Sequence, residues 1–238
     1  DVSLSSGTMI YHALKKRGYE AIILDVYLGY EWEDQEEEKD CTRVFTKKKD
    51  WAEKIGAIAE TNPNIEQIKA LRPDGDKNFF GPNVIRLCQQ ADVVFMALHG
   101  ENGKIQACFD LMGITYTGTD YVSSALAMDK GLSKELFVLN KIPTTKGFRM
   151  KKEEWQRGGE APLLPCVVKT CCGGSSVGVS IVRKNEEYEK ALLDAFLYGD
   201  EVVVEQYIEG REFSVGVMDG KALPIIEIAP LVGFYDYK

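Results

Sequence analysis

The first half of the chain alternates between helical and strand-like spacing of its apolar residues. Residues 9–14 carry apolar side chains at helical spacing, after Ser5 or Ser6, either of which can cap a helix. Two short apolar runs, 21–26 (AIILDV) and 93–98 (VVFMAL), predict buried strands. Helices that alternate with buried strands indicate a parallel α/β unit.

The second half of the chain has a different pattern. Apolar runs at 165–170 (PCVVKT) and 179–184 (VSIVRK) flank the glycine-serine stretch 171–178 (CCGGSSVG). This order predicts an antiparallel hairpin and not a strand that feeds a helix. Further along, the pattern predicts a helix at 186–197 and a strand at 201–208. Asp219-Gly220 is predicted to be a two-residue turn between two strands. The second half is therefore predicted to be α+β with antiparallel strands.

Composition narrows the class of protein. The chain has 238 residues, of which 45% are hydrophobic and 28% charged, so it can bury a core and is neither fibrous nor disordered. Lys and Arg number 29 against 37 Asp and Glu, a net charge of −8 that argues against a nucleic-acid partner. A local basic site for a small anion remains open. The acidic run at 31–40 is predicted to be a solvated loop.

Cysteine usage and hydropathy suggest where the protein works. The six cysteines are scattered, with no CxxC or Cys/His zinc spacing, so reduced thiols are expected. Neither a membrane-length apolar run nor a signal-peptide pattern is present, and we therefore expect no membrane partner and a cytoplasmic location.

The glycine-serine stretch is the first candidate for chemistry. Its backbone N–H groups can be approached closely, its two serines add hydroxyls, and Lys169 ends the strand that feeds it. Such loops hold nucleotide phosphates in several unrelated folds. The spacing matches neither the Walker pattern nor GxGxxG, and an ordinary turn is the open alternative.

Two further sets of residues have the chemistry of a binding site. Polar and apolar groups alternate at Glu205, Gln206 and Ile208, as an adenine slot requires, and Glu212 could accept from ribose hydroxyls. An ordinary half-exposed strand has the same alternation. His99 follows the predicted strand 93–98, at the strand end where α/β sheets bind ligands, although a histidine merely hydrogen-bonded in a loop fits as well.

Five ordered motifs resemble the D-alanine–D-alanine ligase family of ATP-grasp enzymes. They are HGENGKIQACFDLMGITYTGT at 99–119, SSALAMDKGLSKELF at 123–137, VVKTCCGGSSVGVS at 167–180, VVVEQYIEGREFSVGV at 202–217 and GFYDY at 233–237. The resemblance implies an α/β and α+β fold, ATP-grasp with an N-terminal parallel α/β (pre-ATP-grasp) domain. It divides the chain into an N-terminal substrate-side domain at 1–118, a central ATP-grasp subdomain at 119–204 and the start of a C-terminal ATP-grasp subdomain at 205–238.

The resemblance also implies an activity and its site residues. The expected reaction joins two D-alanines through an acyl phosphate for peptidoglycan synthesis, with ATP and Mg²⁺ (or Mn²⁺), in a homodimer. By motif position, Lys130 and Lys169 hold the ATP phosphates and the loop through Ser175 and Ser176 closes over them. Adenine is assigned to Glu205, Gln206 and Ile208, and ribose to Glu212. The first D-alanine is assigned to Val2, Ser3 and His99. The catalytic set is Ser175, His99 and Lys169.

The sequence departs from the family pattern at its ends. The family's opening strand has no counterpart here. The segment after His99-Gly100 is about three residues shorter than in the family. The metal ligands of the family are expected beyond Lys238. We expect the 238 residues to be part of a longer enzyme. Three alternatives stay open: a ligase that uses D-serine or D-lactate as second substrate, another ATP-grasp carboxylate–amine ligase, and a nucleotide-binding module without a metal site.

Overall fold

A computed structural model describes most of the chain, at residues 2–53, 55, 64–72, 78–100, 102–174 and 177–229. The chain divides into two compact units, Asp1–Ser124 and Ala125–Lys238. Predictions made for Ser175, Ser176 and the motif at 233–237 lie outside the described residues. The division into 1–118, 119–204 and 205–238 stays a prediction.

The first unit is mainly helical where it is described. Its helices are α1 (Val2–Lys16), α2 (Gln35–Lys39), a 3₁₀ helix (Cys41–Val44), α3 (Ile65–Ala70), α4 (Val84–Gln90), α5 (Lys104–Met112) and α6 (Tyr121–Met128), whose last turn belongs to the second unit. The sequence also predicts a helix at 83–90, directly before the apolar run 93–98, and α4 confirms it. Helix α1 begins before Ser5 and Ser6, so the prediction that either serine caps it is wrong. Helices α4 and α5 pack through Val84, Cys88, Ile105 and Phe109, which form one core cluster.

The two strands predicted for the first half are wrong in extent. Residues 21–26 belong to no strand, and the run 93–98 makes a single parallel bridge, from Val94 to Tyr116. Ladder hydrogen bonds need a neighbouring strand, and within the described part of the chain the only bridge partner is the stretch around Tyr116. The apolar side chains still find a core, because Leu24, Val94 and their neighbours pack against the α4–α5 cluster.

The acidic run at 31–40 is not merely a solvated loop. Its residues form α2, capped by Asp34, whose carboxylate accepts from the backbone N–H of Glu37 at 2.9 Å. The Glu37 side chain turns inward, is 3% exposed and forms an ion pair with Lys47. Tyr30 donates its hydroxyl to the same carboxylate at 2.9 Å. One acid of the run is therefore part of a buried polar cluster.

The second unit is built on an antiparallel four-stranded sheet. Its strands β1 (Gly147–Lys151), β2 (Cys166–Thr170), β3 (Ser180–Val182) and β4 (Glu201–Gln206) lie in the order β1-β4-β2-β3. Two smaller antiparallel pairs follow, β5 (Glu212–Ser214) with β8 (Ile226–Ile228) and β6 (Val217–Met218) with β7 (Lys221–Ala222). The predicted hairpin, the turn at Asp219-Gly220 and the α+β character of this half are confirmed.

Helices cover the sheet of the second unit. They are α7 (Lys130–Leu139), α8 (Lys152–Gln156) and α9 (Asn185–Phe196). Helix α9 confirms the helix predicted at 186–197. Helix α9 begins where Glu187 accepts from the backbone N–H groups of Arg183 and Lys184 at 2.9 and 3.2 Å, which satisfies donors that a helix start leaves unpaired. Its apolar face meets the sheet in a core that contains Val168, Leu192 and Val204.

Gly147 sits where β1 lies directly against β4. A Cβ atom on Gly147 would lie 2.2 Å from the carbonyl oxygen of Val204, so Gly147→Ala forces the two strands apart. We expect Gly147→Ala to lower the free energy of unfolding by about 1–3 kcal/mol. Gly210→Ala is the control, because no described atom lies within 4 Å of its new methyl. Urea denaturation measures both, and equal stabilities would contradict the packing argument.

Candidate nucleotide site

Lys130 is tied to the glycine loop at two points. It is the first residue of α7, which starts there because Asp129 accepts from the backbone N–H of Leu132 at 2.9 Å. The backbone N–H of Lys130 donates to the carbonyl of Cys171 at 2.8 Å, and its ammonium donates to the carbonyl of Gly173 at 2.5 Å. The positive charge therefore lies at the start of the loop.

Lys169 reaches the same region from β2. Successive side chains of a strand point to opposite faces, and the alternating burial of β2 puts Val168 in the core and Lys169 on the other face. The Lys169 side chain is half-buried and its ammonium forms an ion pair with Glu205 of β4. The other oxygen of the Glu205 carboxylate accepts from Lys134 of α7 at 2.9 Å.

The pKa values of these groups identify a site with excess positive charge. Burial lowers the pKa of Lys130, and the positive charge of Lys169 lowers it further. Burial alone would raise the pKa of Glu205, but hydrogen bonds from Lys169 and Lys134 outweigh it and lower that pKa. Two lysines, Lys169 and Lys134, thus hold one ionised carboxylate, and Lys130 adds a third positive charge close enough to be repelled by Lys169. An anion bound here would relieve the repulsion between the ammoniums.

The glycine loop joins β2 to β3 and leaves room above its backbone. Gly173 has a φ of 106°, a conformation that favours glycine. No described atom lies within 4 Å of where a Cβ on Gly174 would stand, so a ligand can approach this backbone closely. The neighbouring thiols differ: Cys172 is exposed, whereas burial raises the pKa of Cys171 to about 11, which keeps it protonated at neutral pH.

The predicted adenine residues lie at the end of β4 and just beyond it, and the predicted ribose residue follows on the next strand. The carboxylate of Glu205 is held by the two lysines, and the backbone N–H of Gln206 donates to Lys146 at 2.8 Å. Ile208 lies beyond the strand with 60% of its surface exposed, and Glu212 is exposed at the start of β5. A cavity of about 230 Å³ adjoins this strand end and is lined by Lys146, Phe148, Glu160, Leu163, Cys166, Glu205 and Gln206, among others.

The predicted substrate residues of the first unit come together. The hydroxyl oxygen of Ser3 accepts from the backbone N–H of His99 at 3.1 Å. Ser6, in the next turn of α1, has its hydroxyl oxygen 3.0 Å from Nε2 of His99. Val2 begins the helix that carries both serines. The hydrogen-bonding contact with Ser6 holds the ring of His99 in place. Because His99 is exposed, a ligand can reach this ring.

Two residues that support the site are not evident from the sequence. Lys134 lies four residues, about one helical turn, after Lys130 on α7. This spacing is the only signal in the sequence that the two lysines lie on the same face of the helix. Arg149 of β1 donates from Nε to Glu201 at 2.6 Å and approaches Asp129 at 3.7 Å, which helps to hold the start of α7. Neither arrangement is local in sequence.

Within the described residues, no group of three or more His, Cys, Asp or Glu side chains is arranged to hold a metal ion. The described residues therefore do not offer a ligand set for the Mg²⁺ or Mn²⁺ that the family resemblance implies. In the same residues, every helix is too short or too polar to cross a lipid bilayer.

The antiparallel sheet, the glycine loop between β2 and β3 and the lysines around it define a protein of the ATP-grasp class. Two family profiles cover nearly the whole chain: "D-ala D-ala ligase N-terminus" matches residues 1–119, and "D-ala D-ala ligase C-terminus" matches residues 131–238. The chain belongs to the D-alanine–D-alanine ligase family.

Individual relatives agree with this assignment. A D-alanine–D-alanine ligase of Pediococcus pentosaceus is 42% identical over 241 residues, which cover all of this chain and 67% of the relative. Two structures of the Bacillus anthracis D-alanine–D-alanine ligase, the second complexed with ATP, are 36% and 34% identical with TM-scores of 0.55 and 0.54. They cover 65% and 64% of this chain, and the chain covers 53% of each. It thus spans about two thirds of the curated relative and about half of the solved chains.

Proposed function

We propose that the protein ligates two D-alanines to D-alanyl-D-alanine at the expense of ATP. A carboxylate oxygen of the first D-alanine attacks the γ-phosphorus, and the bond to the β–γ bridging oxygen breaks to release ADP. The amine of the second D-alanine then attacks the acyl carbon, loses a proton and expels phosphate. The dipeptide serves peptidoglycan synthesis.

The observation that carries the proposal is the pair of ammoniums at the glycine loop. Lys130 is anchored on Gly173, and Lys169 stands at the end of the strand that enters the loop. Two compact positive charges beside an accessible backbone suit a triphosphate, because negative charge shifts onto the β–γ bridging oxygen as the γ-phosphoryl group is transferred. Ser175 and Ser176 are assigned to ATP binding, and Ser175 also to catalysis.

The remaining residues are assigned to the nucleoside and to the acceptor. Adenine is assigned to Glu205, Gln206 and Ile208, where the exposed aliphatic side chain can cover the base, and ribose to Glu212. Val2, Ser3 and His99 are assigned to the first D-alanine. Ser3 holds the backbone of His99 and Ser6 holds its ring, which suits a group that must meet a carboxylate in one orientation.

The setting of the enzyme belongs to the same proposal. All six cysteines are free thiols, which supports a reducing compartment and hence the cytoplasm. Mg²⁺ or Mn²⁺ is proposed to accompany ATP, and no described residue is assigned to hold it. A homodimer is proposed from the family resemblance.

Release of ADP tests the proposed reaction. With ATP and D-alanine we expect ADP and phosphate in equal amounts, together with one dipeptide per ADP, and only background release without an amino acid. D-serine and D-lactate, each added beside a limiting amount of D-alanine, measure the choice of second substrate. ADP release that needs no D-alanine, or no release with any of the three, would reject the proposal.

A further inference from the structure

Lys134 is a buried lysine whose hydrogen-bonding capacity is used entirely within the protein. It lies on α7, which packs over β4, and is 6% exposed. Its ammonium donates to the carbonyl of Thr145, to the Thr145 hydroxyl at 3.0 Å and to Glu205 at 2.9 Å. An ammonium has three hydrogens, so none is left for a ligand. Lys134 is therefore unsuited to contact a phosphate.

The partner of Lys134 explains what a third lysine can do here. Glu205 offers one carboxylate oxygen to Lys134 and the other to Lys169. The three groups together carry one net positive charge. Without Lys134, Glu205 and Lys169 would form a neutral pair, and Lys169 would attract a phosphate much less.

We propose that Lys134 is a positioning residue for the nucleotide: it neutralises and orients Glu205, so that the charge of Lys169 remains available to the ATP phosphates. This inference rests on the proposed function, because it assumes that ATP binds at Lys130 and Lys169. Lys134 acts through Glu205 and does not touch the nucleotide.

Burial makes the effect larger than a surface charge would have. Glu205 and Lys134 expose only 14% and 8% of their side chains, so water screens their charges poorly. The two carboxylate oxygens also fix the direction from which Lys169 is held. Removing Lys134 is therefore expected to change both the charge and the orientation of Lys169.

A double-mutant cycle measures this coupling. The ATP dissociation constant is measured by calorimetry for wild type, Lys134→Met, Glu205→Gln and the double variant, with circular dichroism to check folding. We expect Lys134→Met to weaken ATP binding roughly tenfold in the wild-type background. In the Glu205→Gln background the same change should have an effect at least about threefold smaller, because no carboxylate remains to be neutralised. Lys190→Met, an exposed lysine of α9, is the control and should bind ATP as wild type does.

Each outcome decides between the inference and its rivals. An equal loss in both backgrounds would show direct or purely structural action of Lys134 and overturn the inference, as would an unchanged affinity of Lys134→Met. If Lys134→Met alone fails to fold, the double variant, which removes both buried charges, is compared with Glu205→Gln: similar affinities support the inference and a tenfold gap overturns it. A wild type that binds no ATP would instead reject the proposed function itself.

Discussion

Replacing Lys169 with alanine is expected to weaken ATP binding by roughly 10- to 100-fold, because a hydrogen bond between an ammonium and a phosphate contributes about 1.5–3 kcal/mol. The fold should tolerate this change, since Glu205 keeps Lys134 as its partner. Lys130→Ala should cause a loss of similar size, because its ammonium is the second charge at the loop. Calorimetric titration with ATP measures both.

The control for these variants separates phosphate contacts from general damage. Lys190→Ala removes an equal charge from the exposed face of α9 and should leave the affinity unchanged. If the two lysines contact the phosphates, the loss should be larger for ATP than for AMP. An equal loss for both nucleotides, or the same affinity in Lys169→Ala and Lys190→Ala, would argue against the assigned roles.

Replacing Lys47 with methionine is expected to destabilise the first unit by about 3–5 kcal/mol at neutral pH, because it leaves a buried carboxylate without its counter-charge. Glu37 would keep the hydroxyl of Tyr30 at 2.9 Å and the backbone N–H of Glu33 at 3.1 Å, but neither is charged. Lys39→Met is the control. Its ion pair with Glu36 is exposed, so we expect a change within about 0.5 kcal/mol.

The pH dependence of the Lys47→Met effect distinguishes charge from packing. Burial would raise the pKa of Glu37, but its hydrogen bonds with Lys47, Glu33 and Tyr30 lower that pKa in the native protein. A carboxyl group with a lowered pKa stabilises the fold above its unfolded-state pKa and loses that contribution as the pH falls through its folded-state pKa. The stability gap between wild type and Lys47→Met should therefore shrink in acid. A gap that stays constant from about pH 6 to about pH 3, a range that brackets the ordinary carboxyl pKa, would point to lost packing.

Local patterns in the sequence were sufficient for much of the second unit. The runs on either side of the glycine loop are apolar and rich in branched residues, and glycine separates them, so a hairpin follows from neighbours in sequence. Helix α9 and the turn at Asp219-Gly220 are local in the same sense. Lys169 could be predicted from its place beside the glycine loop, whereas Lys130 was predicted only through the family resemblance. Their roles remain proposals.

Features that depend on distant partners could not be predicted. Lys134 and Glu205 are 71 positions apart, and nothing local shows that this lysine is buried or that the carboxylate is shared. The acidic run resembles a solvated loop because the partners that bury Glu37 come from other segments. The runs 21–26 and 93–98 have the composition of strands, but a ladder also requires partners that composition does not specify.

A crystal structure of the protein with a non-hydrolysable ATP analogue tests the central claim most directly. We predict phosphate oxygens within hydrogen-bonding distance of the ammoniums of both Lys130 and Lys169, at about 2.7–2.9 Å, with the backbone of Gly173 and Gly174 alongside. Lys134 should still hold Glu205 in that complex. A triphosphate bound elsewhere, with Lys130 still on the carbonyl of Gly173 and Lys169 paired only with Glu205, would contradict the claim.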